Sequence, residues 1–436
     1  MTKKTILLLA SLFAVILSQA QTEPVNEKKV ETDSIQYKYT PLKQLPKAQK
    51  DSTIVADSTR RRVPKTGFGR FIQRLGQPAP DKTFTKKIDI SVIGGPYYSK
   101  STSFGIGILA AGLYRTDRTD HTIQPSNASL FGSVSVKGLY QIGIEGTNIF
   151  KGDRNRLNYL AYFMSMPTLR WGFGYKGGMN HEDASFAFAN KKYDITIKFM
   201  HRLHKHIFVG GSVELNYAYV GGTDQQKQNI ADLLERETEL GHISAINNRS
   251  SVTGVGLTAI FSYDSRDVVS NPFKGVYFSL QGTVRPNFMT NFGTTYRLRV
   301  ILDYYQALWK GAVLALDFYT ELNSLNTPWM YFAELGGMYR MRGYYRSRFN
   351  DINVSMIQAE LRQRIWKRIG ATAWVGAGNV YRRFDKFNWA ETLPNYGVGL
   401  RFEFKRRMNI RLDYGFGQRI HGKLTNSFIF SINEAF

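Results

Sequence analysis

Residues Glu334–Val380 read ELGGMYRMRGYYRSRFNDINVSMIQAELRQRIWKRIGATAWVGAGNV, and this stretch decides the fold. A loop rich in Gly, Arg and Tyr runs into two strand-like segments joined by a tight polar turn. In the first segment Ile357, Ala359, Leu361 and Ile365 fall on one face, and Gln358, Glu360, Arg362 and Arg364 on the other. A strand with one apolar and one charged face usually covers a soluble core. The hydrophobic content, 43%, is too dispersed to build one. The pattern is instead that of a membrane β-barrel strand, with lipid outside and water inside.

The same alternation recurs upstream. Val209, Val213, Leu215, Tyr217 and Tyr219 share one face of a segment whose other face carries Ser212, Glu214 and Asn216. From Lys87 onward such segments follow one another, separated by turn residues. They predict strands at 88–98, 104–114, 129–138, 140–149, 155–165, 193–203, 206–219, 251–264, 274–285, 295–308, 311–322, 354–366, 369–380, 395–405, 408–417 and 427–435. The expected fold is all-β: a transmembrane antiparallel barrel of about sixteen strands over residues 87–436. In this register the short turns at 203–206, 308–311, 366–369 and 405–408 share one end. The long connections 166–192, 220–250, 323–353 and 381–394 share the other, which is the asymmetry of an outer-membrane barrel. Gly105, Gly107 and Gly112 lie in an alternating segment and are strand glycines, not a phosphate-binding loop.

Composition agrees. The 436 residues include 29 Phe, 25 Tyr and 39 Gly, which suits interfacial aromatic girdles and tight turns. There is no cysteine, so disulfides, thiolate nucleophiles and Cys-held metals are excluded. Net charge is +24. No nucleic-acid recognition module accompanies it, so nucleic acid is not an expected partner. The basic side chains belong to loops, turns and a polar lumen, with some facing anionic headgroups of outer-membrane lipid and lipopolysaccharide.

Residues 1–20 read as a signal peptide. Lys3 and Lys4 precede an apolar run, and Ser18-Gln-Ala20 makes a small-x-small cleavage site. Residues 21–86 are polar and expected to be a mostly disordered periplasmic segment. Within them Gly67 to Leu75 has helical spacing; it would plug the barrel, touch the inner leaflet or simply act as a tether. In the 220–250 connection Asp224 is positioned to cap a helix with a stripe of Ile230, Leu233, Leu234 and Leu240. That helix would fold over the rim or offer a receptor surface.

The chain ends SFIFSINEAF. Phe428, Phe430, Ile432 and Phe436 fall on one face, like the C-terminal β-signal read by outer-membrane assembly machinery. Glu434 departs from the apolar residue expected there.

Three stretches carry a resemblance to the bacterial surface antigen family, the BamA/TamA-like superfamily of sixteen-stranded barrels. Tyr263-Asp-Ser-Arg-Asp267, with Asp264, Arg266 and Asp267, resembles the family's acidic strand end. Gly336-Gly337 followed by Arg342-Gly343-Tyr344 resembles the signature of its sixth outer loop. Gly397-Val-Gly399-Leu with Arg411-Leu-Asp413-Tyr resembles its last strands. The resemblance implies that the loop folds into the lumen and that Arg342 is held there by Glu360. Gly376 stands where the family has an Asp, so one of two anchors is expected to be missing. Arg411 and Asp413 face inward by alternation, without an assigned partner. The segment 21–85 is too short and too polar for the family's periplasmic POTRA domains.

The resemblance implies a non-enzymatic barrel of the Gram-negative outer membrane that assists insertion, assembly or translocation of client or partner outer-membrane proteins, without a cofactor. An accessory or scaffold barrel and a passive pore remain open alternatives. An outer-membrane phospholipase ranks last, because no outward Ser–His pair can be placed at the rim. No nucleophile elbow, phosphate loop or His-Glu-x-x-His occurs. His201, His204 and His206 cluster at a turn, but Arg202 and Lys205 beside them oppose a metal ion.

Overall fold

Period-two alternation gives each wall strand one apolar face, and pairing between neighbours satisfies backbone groups that hydrocarbon cannot. In the computed structural model this yields one antiparallel sheet. The model describes residues 83–99, 103–119, 123–243, 249–269, 271–286, 293–405, 408–432 and 434–436. All of them belong to one compact unit, Lys65–Phe436. The expected signal peptide, the helical spacing at Gly67–Leu75 and nearly all of the polar segment 21–86 lie outside the described residues.

The first eight wall strands are β1 Asp89–Ser99, β2 Ser103–Tyr114, β3 Ser126–Ser135, β4 Tyr140–Ile149, β5 Asn155–Arg170, β6 Phe186–His204, β7 Ile207–Gly221 and β8 Ser251–Asp264. Next come β9 Gly275–Arg285, β10 Thr295–Ala307 and β11 Ala312–Asn323. Two short strands, β12 Ala333–Leu335 and β13 Phe349–Asp351, pair with each other inside one connection. The wall resumes with β14 Asn353–Trp366, β15 Ile369–Tyr381, β16 Leu393–Lys405, β17 Met408–Ile420 and β18 Lys423–Ile432. The sheet has 16 strands, each hydrogen-bonded to its neighbours in chain order, with β11 joined directly to β14. It curls until β1 and β18 come within 8 Å between Cα atoms. Among the described residues no ladder joins these two strands.

The facing follows the sequence. On β14 Ile357 and Leu361 are exposed on the outer wall, whereas Gln358, Glu360 and Arg362 are buried within. On β7 Val213, Leu215 and Tyr217 are exposed, and Ser212 and Glu214 are buried. The long connections 171–185, 222–250, 324–352 and 382–392 all lie at one end, the loop end, and the short turns 205–206, 308–311 and 367–368 at the other, the turn end. No described helix is long and apolar enough to cross a membrane.

Several boundaries differ from expectation, each for a physical reason. β5 and β6 run on to Arg170 and back to Phe186, beyond the predicted 155–165 and 193–203. Their extensions pack under loops, so Phe188 is buried by protein and the lipid–water alternation fades there. β3 ends at Ser135, before a turn in which Gly138 takes φ +86°. The 222–250 connection holds α2, Asp224–Glu239, after a one-turn α1 at Gly174–Gly178. The cap of α2 is Thr223, not Asp224: its hydroxyl accepts from the Gln226 amide, while the Gln226 side chain accepts from the Thr223 amide. Ile230, Leu233 and Leu234 are buried, but Leu240 lies past the helix and is exposed. Glu237 takes the fourth buried place instead. Here α2, Phe173, Phe188, Trp329 and Ile352 make an apolar cluster over the loop end. A second cluster, around Leu335, Met341, Tyr344 and Phe349, lies where the 324–352 loop meets the inner wall.

Candidate functional site

The tip of the 324–352 loop enters the lumen. β12 and β13 form its neck, and the chain between them turns sharply, with Met341 at φ +52° and Gly343 at φ +121°. The turn aims Arg342 at the wall, and its side chain is fully buried. One terminal nitrogen donates to Glu360 on β14 at 2.5 Å and the other to Asp413 on β17 at 2.6 Å. Its guanidinium lies 3.6 Å from the centroid of the Trp374 ring on β15. A planar cation is thus held edge-on by two carboxylates and face-on by an indole. The Gly343 amide donates to Ser427 on β18 at 2.9 Å. The Tyr344 hydroxyl donates to the Pro394 carbonyl at 2.5 Å and accepts from the Gln418 amide at 2.7 Å.

The space at Gly376 is already occupied: a Cβ there would press on Gln358 and Asn395. Gln358 instead accepts from the Met341 amide at 3.1 Å, and Asn395 donates to the Arg342 carbonyl. The fork has two acids after all, the second being Asp413 on β17 and not a residue of β15. The strand glycines serve this fork. A Cβ at Gly397 would collide with Trp374, and one at Gly399 with Asp413. Gly415, unremarked in the sequence, leaves room for the Arg342 backbone.

Further residues complete the cluster. Arg362 donates to Glu360 at 2.8 Å, and Arg401 donates to Asp413 at 2.5 Å. Arg401 also reaches Glu434 at 2.8 Å, Asn409 donates to Glu434 at 2.5 Å, and Arg411 lies 3.6 Å from Asp413. The neighbouring loop arginines each have an acid partner: Arg340 with Asp317 at 2.6 Å, Arg346 with Glu334 at 2.9 Å, Arg348 with Glu182 at 2.7 Å, Glu334 being shared with Arg170 at 3.4 Å. The family resemblance marked Arg342 and Glu360 but not the rest of this cluster, because those residues come from distant parts of the chain.

The C-terminal residues depart from a simple strand. Phe428 and Phe430 are exposed on the outer wall, and Ile432 is the last residue of β18. Phe436 does not share their face. After Ile432 the chain leaves the wall, Glu434 enters the Arg401–Arg362 cluster, and Arg362 donates to the Phe436 main-chain oxygen at 2.9 Å. The Phe436 ring lies beneath that guanidinium at 5.4 Å. The acidic residue that looked out of place in an outward strand is therefore an inward ion-pair partner.

The acidic strand end closes the turn end of β8. Asp264 receives Arg266 at 2.9 and 3.1 Å and Arg156 at 2.8 Å. Asp267 accepts from the Phe273 amide at 2.8 Å and so closes the turn to β9. Of the turn histidines, His201 pairs with Asn155 at 2.7 Å and His206 with the Asp264 carbonyl at 3.2 Å. Among the described residues no group of three or more His, Cys, Asp or Glu is placed to hold a metal ion. At the loop end burial pushes the Asp351 carboxyl up to about 6, against the pull of Arg382 and His242.

The Omp85 superfamily domain matches residues 140–436. Among solved structures, BamA from Haemophilus ducreyi lacking POTRA domains 1–3 aligns with TM-score 0.51 at 12% identity, covering 83% of this chain and 77% of that one. CdiB from Escherichia coli aligns with TM-score 0.51 at 11% identity, covering 81% of this chain and 63% of that one. At these identities the likeness is one of fold. No curated protein matches the sequence.

Proposed function

This chain belongs to the Omp85 superfamily, and from that premise we propose that its barrel assists the insertion, assembly or translocation of other proteins at the bacterial outer membrane. The observation that carries the reading is the seam. β1 and β18 approach within 8 Å without a ladder between them among the described residues. A strand edge outside a ladder can template an incoming strand, which is the physics of β-augmentation. The tail after Ile432, drawn inward by Arg362 and Arg401, shortens the edge that β18 offers to β1. Arg342 ties the loop to Glu360 on β14 and Asp413 on β17, and Gly343 ties it to Ser427 on β18, so the C-terminal part of the wall is braced.

The occupied lumen supports this reading over a passive pore. The loop tip lies inside, and the cluster around α2 sits over the loop end. Depletion of the chain in its native host tests the proposal. Reduced levels of at least some outer-membrane or surface proteins are expected; unchanged levels of all of them would refute it. If levels hold while a stable complex co-purifies in mild detergent, the scaffold reading takes its place.

A further inference from the structure

The connection from β15 to β16 does something the lumenal loop does not: it folds outward. By alternation Asn353, Ser355, Asn379 and Tyr381 face the outer wall, like exposed Ile357 and Val375 on the same strands. Yet Asn379 is only 2% exposed and Tyr381 3%. What covers them is their own connection. Asn379 donates to the Asn388 carbonyl at 2.8 Å, and Asn353 donates to the Arg382 carbonyl at 2.9 Å. Tyr381 shares a hydrogen bond with Ser355 at 2.9 Å and packs against the rings of Phe384 and Phe387. Phe387 in turn meets Trp389 edge-on at 4.9 Å. The segment is thus a collar on the outside of the wall, immediately beyond the apolar row of Ile357 and Ala377.

Two of its rings have no cover. Phe384 is 64% exposed and Trp389 80%. Arg383 and Lys386 are exposed between them, Arg383 also pairing with exposed Asp385 at 2.9 Å, so the two cations outnumber the one acid there. Water is a poor environment for such rings, but the edge of a bilayer suits them. There an indole buries its ring in the acyl boundary and keeps its N–H among headgroups, while cations meet phosphates. We infer that residues 382–392 are an interfacial anchor, with Trp389 and Phe384 inserted at the acyl–headgroup boundary and Arg383 and Lys386 facing lipid phosphates. This rests on the outer wall facing lipid and not on any client protein.

The test uses the full chain reconstituted in vesicles of phosphatidylcholine, with and without phosphatidylglycerol, carrying brominated acyl chains. Subtracting the emission of a Trp389→Phe variant isolates Trp389. Bromine should remove about half or more of that emission, more strongly with phosphatidylglycerol present. Arg383→Glu with Lys386→Glu should abolish the phosphatidylglycerol dependence, in protein shown to be folded by heat-dependent gel mobility. Phe384→Trp in the Trp389→Phe background gives a second reporter, expected to be quenched likewise. Emission unaffected by bromine at both positions would overturn the anchor. Quenching that ignores phosphatidylglycerol would overturn the phosphate assignment. Either result leaves depletion phenotypes untouched, so the seam proposal fails or stands separately.

Discussion

Arg342 is fully buried and shared by two carboxylates on strands far apart in the chain. Truncating one partner of a buried ion pair strands the other, at a cost of about 3–5 kcal/mol. Arg342→Ala should therefore destabilise the barrel by that order in denaturant titrations of the reconstituted protein. Arg342→Lys keeps the charge but cannot span Glu360 and Asp413 together, so a smaller loss of roughly 1–3 kcal/mol is expected. Equal melting of both variants and the parent would mean that the fork does not brace the loop. Gly399→Ala should resemble Arg342→Ala, because its methyl group would displace the Asp413 carboxylate. At the loop end Asp351 gives a pH dependence of definite sign. Its folded pKa, about 6, lies above the ordinary 3.8, so the folded state favours the protonated form. The stabilisation this brings is complete below 3.8 and fades as pH rises through 6. Protease resistance of the neck around β13 should accordingly increase on acidification from neutral pH toward 5, and Asp351→Asn should remove that component. A neck that loosens in the parent over this interval, with no difference in the variant, would contradict it.

The elements were legible in proportion to how strictly lipid and water divide their faces. β8 runs from Ser251 to Asp264, as alternation alone predicts, because outward Leu257, Phe261 and Tyr263 are exposed while inward Thr258, Ser262 and Asp264 are buried. The rule fades where protein replaces lipid, which is why the extensions of β5 and β6 look like loop in the sequence. It fails again at the C-terminus, where Glu434 belongs to an ion-pair cluster and not to a strand face. Of the fork, Arg342 and Glu360 are visible through the family resemblance, which places the loop arginine against an acid on the strand that follows it. Asp413, Arg401 and Trp374 are brought in by the closing of the barrel, and no spacing encodes that. Glu434→Gln should free the tail at little cost to the wall. Its expected signature is faster carboxypeptidase release of residues 434–436 with an unchanged barrel melt. Unaltered release would mean that the tail is held by something other than Glu434, such as the contact of Arg362 with Phe436. For α2, Thr223→Ala removes the reciprocal cap and should cost about 1 kcal/mol locally. Earlier proteolysis within 224–239 is the expected readout, with the barrel itself intact.

At the largest scale the barrel is a wall whose first and last strands approach within 8 Å with no ladder between them among the described residues, braced by a loop whose tip enters the lumen. Its solvent on the outer face is lipid, so the mature chain should stay dispersed only in detergent or bilayer, with a β-rich circular dichroism spectrum. The absence of cysteine makes single labels easy to place. The seam claim is tested most directly by photo-crosslinking in living cells from outward positions on β1, such as Ile90 and Val92, with Leu257 on β8 as a mid-wall control. The expected result is crosslinks from β1 to newly made outer-membrane proteins and none above background from Leu257. Identical, client-free patterns at both places would contradict the account.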